Sequence, residues 1–176
     1  CLIIYTSGTT GKPKGAMHSQ RSFVTCGEAF VQRVCLQDDD RVMIVLPLFH
    51  INALNTFAQA ALTGAEVVFE PRFSASGFWP SMRASGATVV YLLGAMVPIL
   101  LAQPEGEGER DHRVRTGLGP GVPSAAGQAF KARTGVSLLE GYGSTETNFA
   151  IATAPDSPRG GVMGWLRPGF QARVAG

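Results

Sequence analysis

Apolar residues run along the chain in short blocks, separated by glycine, proline and clustered polar residues. Residues 2–5 (LIIY) make a run of strand length that predicts a buried strand, and a glycine- and threonine-rich stretch follows. Residues 18–34 place Phe23, Val24, Ala29, Phe30 and Val34 at roughly helical spacing, which predicts a helix, and Asp38-Asp39-Asp40 predicts a turn. Residues 42–46 are uninterruptedly apolar and stop at Pro47, as in a strand buried on both faces. The pattern then predicts a helix over 51–62 capped by Gly64, a strand over 66–69 and a helix over 76–85 broken by Gly86. A strand over 88–93 and a short helix over 96–102 follow. Residues 103–112 are polar and predict an exposed loop. Beyond them lie a weak strand over 114–118, a helix over 124–133 with Gly135 after it, and strands over 136–139 and 149–153. Strands alternating with helices predict an α/β fold, a mostly parallel sheet with helices on both faces. Such sheets collect ligands beyond the carboxyl ends of their strands.

Composition narrows this. With 176 residues, 45% apolar and 16% charged, the chain has the makings of one domain with a real core. A net charge of +2, with no basic stripe, argues against a nucleic-acid partner. Cys1, Cys26 and Cys35 are odd in number and lack metal-ligand spacing, so they are expected to be reduced, buried thiols of a cytoplasmic protein. The longest apolar stretch, residues 87–102, is interrupted by Gly94 and Pro98 and predicts no transmembrane segment. The first residues read as a strand already under way and the last carry no terminating signal, so a fragment of a longer protein is expected.

Four stretches carry chemistry. Thr6-Ser7-Gly8-Thr9-Thr10-Gly11-Lys12-Pro13-Lys14-Gly15 offers backbone N–H groups, hydroxyls and ammonium groups to a phosphate, with a flexible linker as the alternative. It is not a Walker A loop, because Thr6 stands where the first glycine belongs and Pro13 where the magnesium-binding hydroxyl belongs. Gly141-Tyr142-Gly143-Ser144-Thr145-Glu146 reads by itself as a turn, yet it supplies a flat ring for a base, a hydroxyl for a phosphate and a hard carboxylate for Mg²⁺. Pro47-Leu48-Phe49-His50 ends a predicted strand, where this fold class places its chemistry, although a lone histidine is often structural. Gly117-Leu118-Gly119-Pro120-Gly121 would let backbone approach a flat ligand closely.

Taken in this order, the four stretches resemble the adenylate-forming superfamily of acyl-CoA synthetases, peptide-synthetase adenylation domains and beetle luciferases, over residues 2–169. The resemblance implies the partial N-terminal domain of that fold, residues 1–176, with the C-terminal domain absent. It implies that Thr6, Ser7, Gly8, Thr9, Thr10, Gly11 and Lys14 hold the phosphates of ATP. Tyr142 would stack on adenine, with Gly119, Pro120 and Gly121 on its other side and Gly141 and Gly143 at its edge. Thr145 would bond the α-phosphate and Glu146 would hold Mg²⁺. His50 and Phe49 would sit by the substrate carboxylate, and Ile51, Asn52, Gly94, Ala95 and Gly117 would line the acyl pocket. Residues 161–169 (GVMGWLRPG) resemble a later glycine-rich stretch of the family. The implied reaction is attack of a carboxylate on ATP, release of pyrophosphate and transfer of the acyl group to a thiol, CoA. The GYGSTET and PLFHINALN stretches look closer to ligases for fatty or carnitine-type acids than to domains that load a carrier protein. A carrier-loading domain and a non-catalytic nucleotide-binding remnant are the alternatives. The family's ribose-binding Asp, hinge residue and late Lys lie further along than residue 176, so the isolated chain is expected to be inactive.

Overall fold

The computed structural model describes residues 1–6, 11–106, 108–153 and 162–174. The chain opens on an antiparallel hairpin of β1 (Leu2–Thr6) and β2 (Lys14–His18), paired from Leu2↔His18 to Thr6↔Lys14. α1 (Gln20–Val34) begins at Ser19, whose side chain accepts a hydrogen bond from the Ser22 N–H. There follow β3 (Arg41–Ile44), α2 (Ile51–Thr63), β4 (Glu66–Phe69), α3 (Phe78–Ser85), β5 (Val89–Tyr91) and α4 (Met96–Leu101). The chain continues through β6 (Thr116–Leu118), α5 (Ser124–Thr134), β7 (Leu138–Leu139), β8 (Gly141–Ser144), β9 (Asn148–Ala152) and β10 (Trp165–Leu166). α2 and α5 end at Gly64 and Gly135 with φ of 86° and 83°, a left-handed cap that glycine adopts without a Cβ clash.

Five strands make a parallel sheet in the order β4-β3-β5-β6-β7. Because side chains alternate along a strand, the sheet feeds two cores. Met43, Val90 and Leu92 pack with Trp79 and Met82 of α3, Val97 and Leu100 of α4 and Phe130 of α5. Val42, Val89, Tyr91 and Leu118 pack with Cys26, Phe30 and Val34 of α1. α2 lies beside α1, and a buried polar chain joins both to the sheet. The Tyr91 hydroxyl donates to Gln59 Oε1, Gln59 Nε2 to Asn55 Oδ1 at 3.3 Å, and Asn55 Nδ2 to the Phe23 carbonyl at 3.0 Å. Each member has a partner, which is what makes burial of three polar side chains tolerable.

Several local expectations change. Residues 2–5 are not a buried strand: Ile3 and Tyr5 are 62% and 71% exposed, because a two-stranded hairpin turns only one face to the body. The first helix starts at Gln20 rather than His18, since residues 14–18 pair with β1. Residues 141–146 are not simply a turn. β8 pairs with β9, and β9 with β10, in a separate antiparallel sheet, so the strand read over 149–153 lies outside the parallel one. A side chain on Gly141 would strike the Phe149 ring and one on Gly143 the Asn148 carbonyl, which is why so glycine-rich a strand forms here. The polar loop is exposed as expected at residues 104–106 and 110–111, but Glu109 within it is buried against Arg133. Of the cysteines only Cys26 is buried.

Candidate functional site

A cavity of ≈ 430 Å³ opens at the carboxyl ends of β5 and β6, between the loop that follows β3 and strand β8. That volume suits a small ligand. It gathers three of the four sequence stretches: His50, then Pro120 and Gly121, then Gly141, Tyr142, Gly143 and Thr145. Ile51 and Asn52 also line it, whereas Phe49 is 78% exposed and neither it nor Ala95, Gly94, Gly117 or Gly119 is part of the wall. Gly94 and Gly117 serve close packing. A Cβ on Gly94 would strike the Gly121 carbonyl, and one on Gly117 the Val90 carbonyl.

His50 is the N-cap of α2, where its Nδ1 accepts from the Asn52 N–H at 3.3 Å. An accepting Nδ1 leaves the proton of the neutral ring on Nε2. Burial holds the His50 pKa below the ordinary histidine value. The side chain is thus a neutral N–H donor at the cavity wall. Tyr142 is 52% exposed, so its ring has a face open to a planar ligand.

The Thr145–Glu146 turn is tied by reciprocal bonds: the Ser144 N–H donates to Thr147 Oγ1 at 3.1 Å and the Thr147 N–H to Ser144 Oγ at 3.2 Å. The Glu146 carboxyl sits below the ordinary carboxylate range, chiefly through its own backbone N–H, then the Ser144 hydroxyl, with smaller pulls from His18 and Lys14. It is ionised at neutral pH. Among the described residues no cluster of three or more His, Cys, Asp or Glu could enclose a metal. One exposed carboxylate is nevertheless what Mg²⁺ takes when a ligand's phosphates complete its shell, so Glu146 fits that role.

Lys14 opens β2, and Thr6 Oγ1 donates to its carbonyl at 3.4 Å. Gly11 has φ 143° and open space around it. Ser7, Gly8, Thr9 and Thr10 lie outside the described residues, as does Gly161 of the later stretch.

Two residues at the site escaped the sequence reading. His18 is 6% exposed and its Nε2 donates to the Thr145 carbonyl at 2.7 Å. Asn148 lines the cavity, is 7% exposed, has φ 55°, and carries the one buried side-chain nitrogen without a partner among the described residues. A Thr-Asn step offers a weak signal for a left-handed residue; nothing in the sequence marks His18.

The profile of the AMP-binding enzyme family matches residues 1–176. The chain belongs to this family. Sulfoacetate–CoA ligase of Cupriavidus necator is 39% identical over 180 residues, covering 99% of this chain and 35% of that protein. Medium/long-chain-fatty-acid–CoA ligase FadD17 of Mycobacterium marinum is 37% identical over 163 residues, covering 92% of this chain and 32% of that protein. The solved structure of O-succinylbenzoate coenzyme A synthetase (MenE) of Bacillus subtilis, in complex with ATP and magnesium, matches with a TM-score of 0.79 at 28% identity, covering 93% of this chain and 35% of that one. The chain therefore spans about a third of the length of these relatives. The α/β fold expected from the sequence, that of the N-terminal domain of adenylate-forming CoA ligases, is borne out. Among the described residues no helix is long and apolar enough to cross a membrane.

Proposed function

We propose that the full-length protein of this AMP-binding chain is an acid:CoA ligase that converts a carboxylic acid and ATP to an acyl-adenylate and pyrophosphate, then transfers the acyl group to CoA. The observation that carries the reading is the convergence, on one cavity beyond the parallel strands, of a neutral His50 donor, the Tyr142 ring and Thr145. Residues 1–176 would then be an incomplete AMP-binding N-terminal domain, and the isolated chain is expected not to turn over.

In this reading the adenine lies on Tyr142, against the Gly119–Gly121 and Gly141–Gly143 backbone. His50 Nε2–H donates to the acid's carboxylate and orients it without giving up a charge-compensating proton, so the oxygen stays nucleophilic. Thr145 donates to the α-phosphate while the carboxylate oxygen attacks the α-phosphorus and the bond to pyrophosphate breaks. Lys14, with residues 6–11, receives the departing charge. Glu146 would hold Mg²⁺, which supplies charge neutralisation along the phosphates. A fatty or carnitine-type acid fits the PLFHINALN stretch, with Ile51 and Asn52 on the cavity wall and Gly94 and Gly117 contributing only through the close backbone packing behind it. CoA is the acceptor, as in the names of the relatives; the carrier-loading alternative has no support among them. A cytoplasmic location completes the reading.

Pyrophosphate exchange by the full-length protein against a panel of carboxylic acids tests it. Exchange stimulated by one class of acid, followed by CoA-dependent release of AMP, is the expected result. Exchange without thioester formation on CoA would overturn the ligase, and absence of exchange with every acid would overturn acid activation.

A further inference from the structure

Among the described residues the β1–β2 hairpin is a two-stranded sheet of its own, its strands pairing with neither of the other two sheets. Hairpins of this size are marginal unless something docks them. Met17 is 84% exposed, yet the next residue, His18, is 6% exposed. The strand enters the body of the molecule at that one step. There the His18 ring donates from Nε2 to the Thr145 carbonyl at 2.7 Å, across 127 positions of sequence. Because the acceptor is a main-chain oxygen, this bond itself uses neither the Thr145 hydroxyl nor the Glu146 carboxylate. Ser19 caps α1 immediately afterwards, so the end of β2 is held from both sides. His18 and Glu146 also border one shared cavity of ≈ 560 Å³.

We propose that His18 is a positioning residue that docks the hairpin carrying the phosphate-binding stretch onto the Thr145–Glu146 turn, so that Lys14 from one motif and the hydroxyl and carboxylate of the other meet the same triphosphate. The proposal rests on the reading of the site as an ATP site. It makes His18 act through Thr145 rather than on substrate, and it assigns the effect to the nucleotide and metal side of the reaction alone.

The test uses the full-length protein with His18→Ala and His18→Gln, because a glutamine amide reaches about as far as Nε2 and restores a donor. Calorimetric titration of MgATP is run beside pyrophosphate exchange at varied Mg²⁺, ATP and acid. His18→Ala is expected to weaken MgATP binding and to raise the Mg²⁺ and ATP needed for half-maximal exchange by about five- to tenfold, the worth of one ordinary hydrogen bond. The acid's KM should stay within about twofold, and His18→Gln should recover most of the loss. Unchanged MgATP binding in His18→Ala would overturn the proposal. So would a loss shared equally by acid and nucleotide, with a lowered Tm and no rescue by glutamine, since that is the mark of a structural residue. A wild-type protein that binds MgATP but activates no acid would overturn the acid-activation reading and leave the His18 comparison fully readable by calorimetry.

Discussion

In the proposed reading His50 performs two tasks with the two nitrogens of one ring, and the tasks separate by mutation. Nδ1 caps α2, and the neutral ring, protonated on Nε2, lines the cavity. Asparagine caps helices well but is too short to reproduce Nε2, so His50→Asn should keep Tm nearly unchanged. Its exchange rate should nevertheless fall at least tenfold with little change in MgATP affinity. His50→Ala loses the cap as well, at about 1 kcal/mol of stability. Melting curves beside exchange kinetics check both. The pH dependence has a definite sign: burial lowers the folded-state pKa, so the ring is still neutral as pH falls through about 6.5, the ordinary histidine value. Activity governed by His50 should decline only below that value, and stability should fall there too, because the unfolded state binds the proton first. That acid limb should be missing from the His50→Asn profile. The place of His50 was legible from a strand running into proline. Its capping was not, because histidine is outside the usual set of capping residues.

The elements that periodicity announced are those whose one-sided burial shapes composition over a turn or more. α1, α2 and α5 and the buried strands β3 and β5 appear within a few residues of expectation, with Gly64 and Gly135 ending helices where predicted. β2, β8 and β10 did not announce themselves. KGAMH, GYGS and WL hold too few apolar residues to show a period, and their pairing is set by distant partners. The parallel elements are in turn joined at their far end by a polar knot that no motif signals. Asp40 accepts from Arg115 Nε at 3.0 Å, from the Thr88 hydroxyl at 2.6 Å and from the Gln37 N–H at 2.8 Å, while Arg115 reaches the Val34 and Cys35 carbonyls, each at 2.9 Å. Burial works to raise the Asp40 pKa, but these bonds outweigh it and hold the carboxyl below its usual range. The stability it contributes is therefore complete above the unfolded carboxylate value near ~3.9 and lost as pH falls through the lower, folded value. Asp40→Asn should cost about 1–3 kcal/mol in urea unfolding at pH 7 and flatten the acid limb of the stability profile. MgATP affinity should be unaffected, since the knot lies at the opposite end of the strands from the cavity.

At the scale of the molecule, the cavity exists because two sheets of different kind meet with a single residue between them. The chain leaves the parallel sheet at Leu139 and enters the antiparallel one at Gly141. Glu140 bridges them: its N–H donates to Thr153 Oγ1 at 3.0 Å and the Thr153 N–H donates to its carbonyl at 3.0 Å. So abrupt a change brings β8 against Phe149, whose ring packs on Phe30 of α1 with centroids 4.9 Å apart. Gly141 and Gly121 border the same cavity for different physical reasons, and alanine distinguishes them. At Gly141 a methyl group drives into the Phe149 ring, so Gly141→Ala must push the aromatic pair or the strand aside, at about 1–3 kcal/mol, and should weaken MgATP binding as the β8 wall shifts. Gly121 has φ 75° and nothing within 4 Å of an added Cβ. Gly121→Ala should therefore cost only the backbone penalty, about 1 kcal/mol, with a smaller loss of affinity. If Tm and calorimetric affinity fell equally in the two variants, the close packing of β8 on the Phe149 ring would not be what shapes the site. A larger loss at Gly141 on both measures would place the control of the cavity at the packing of β8 on Phe149, one residue past the parallel sheet.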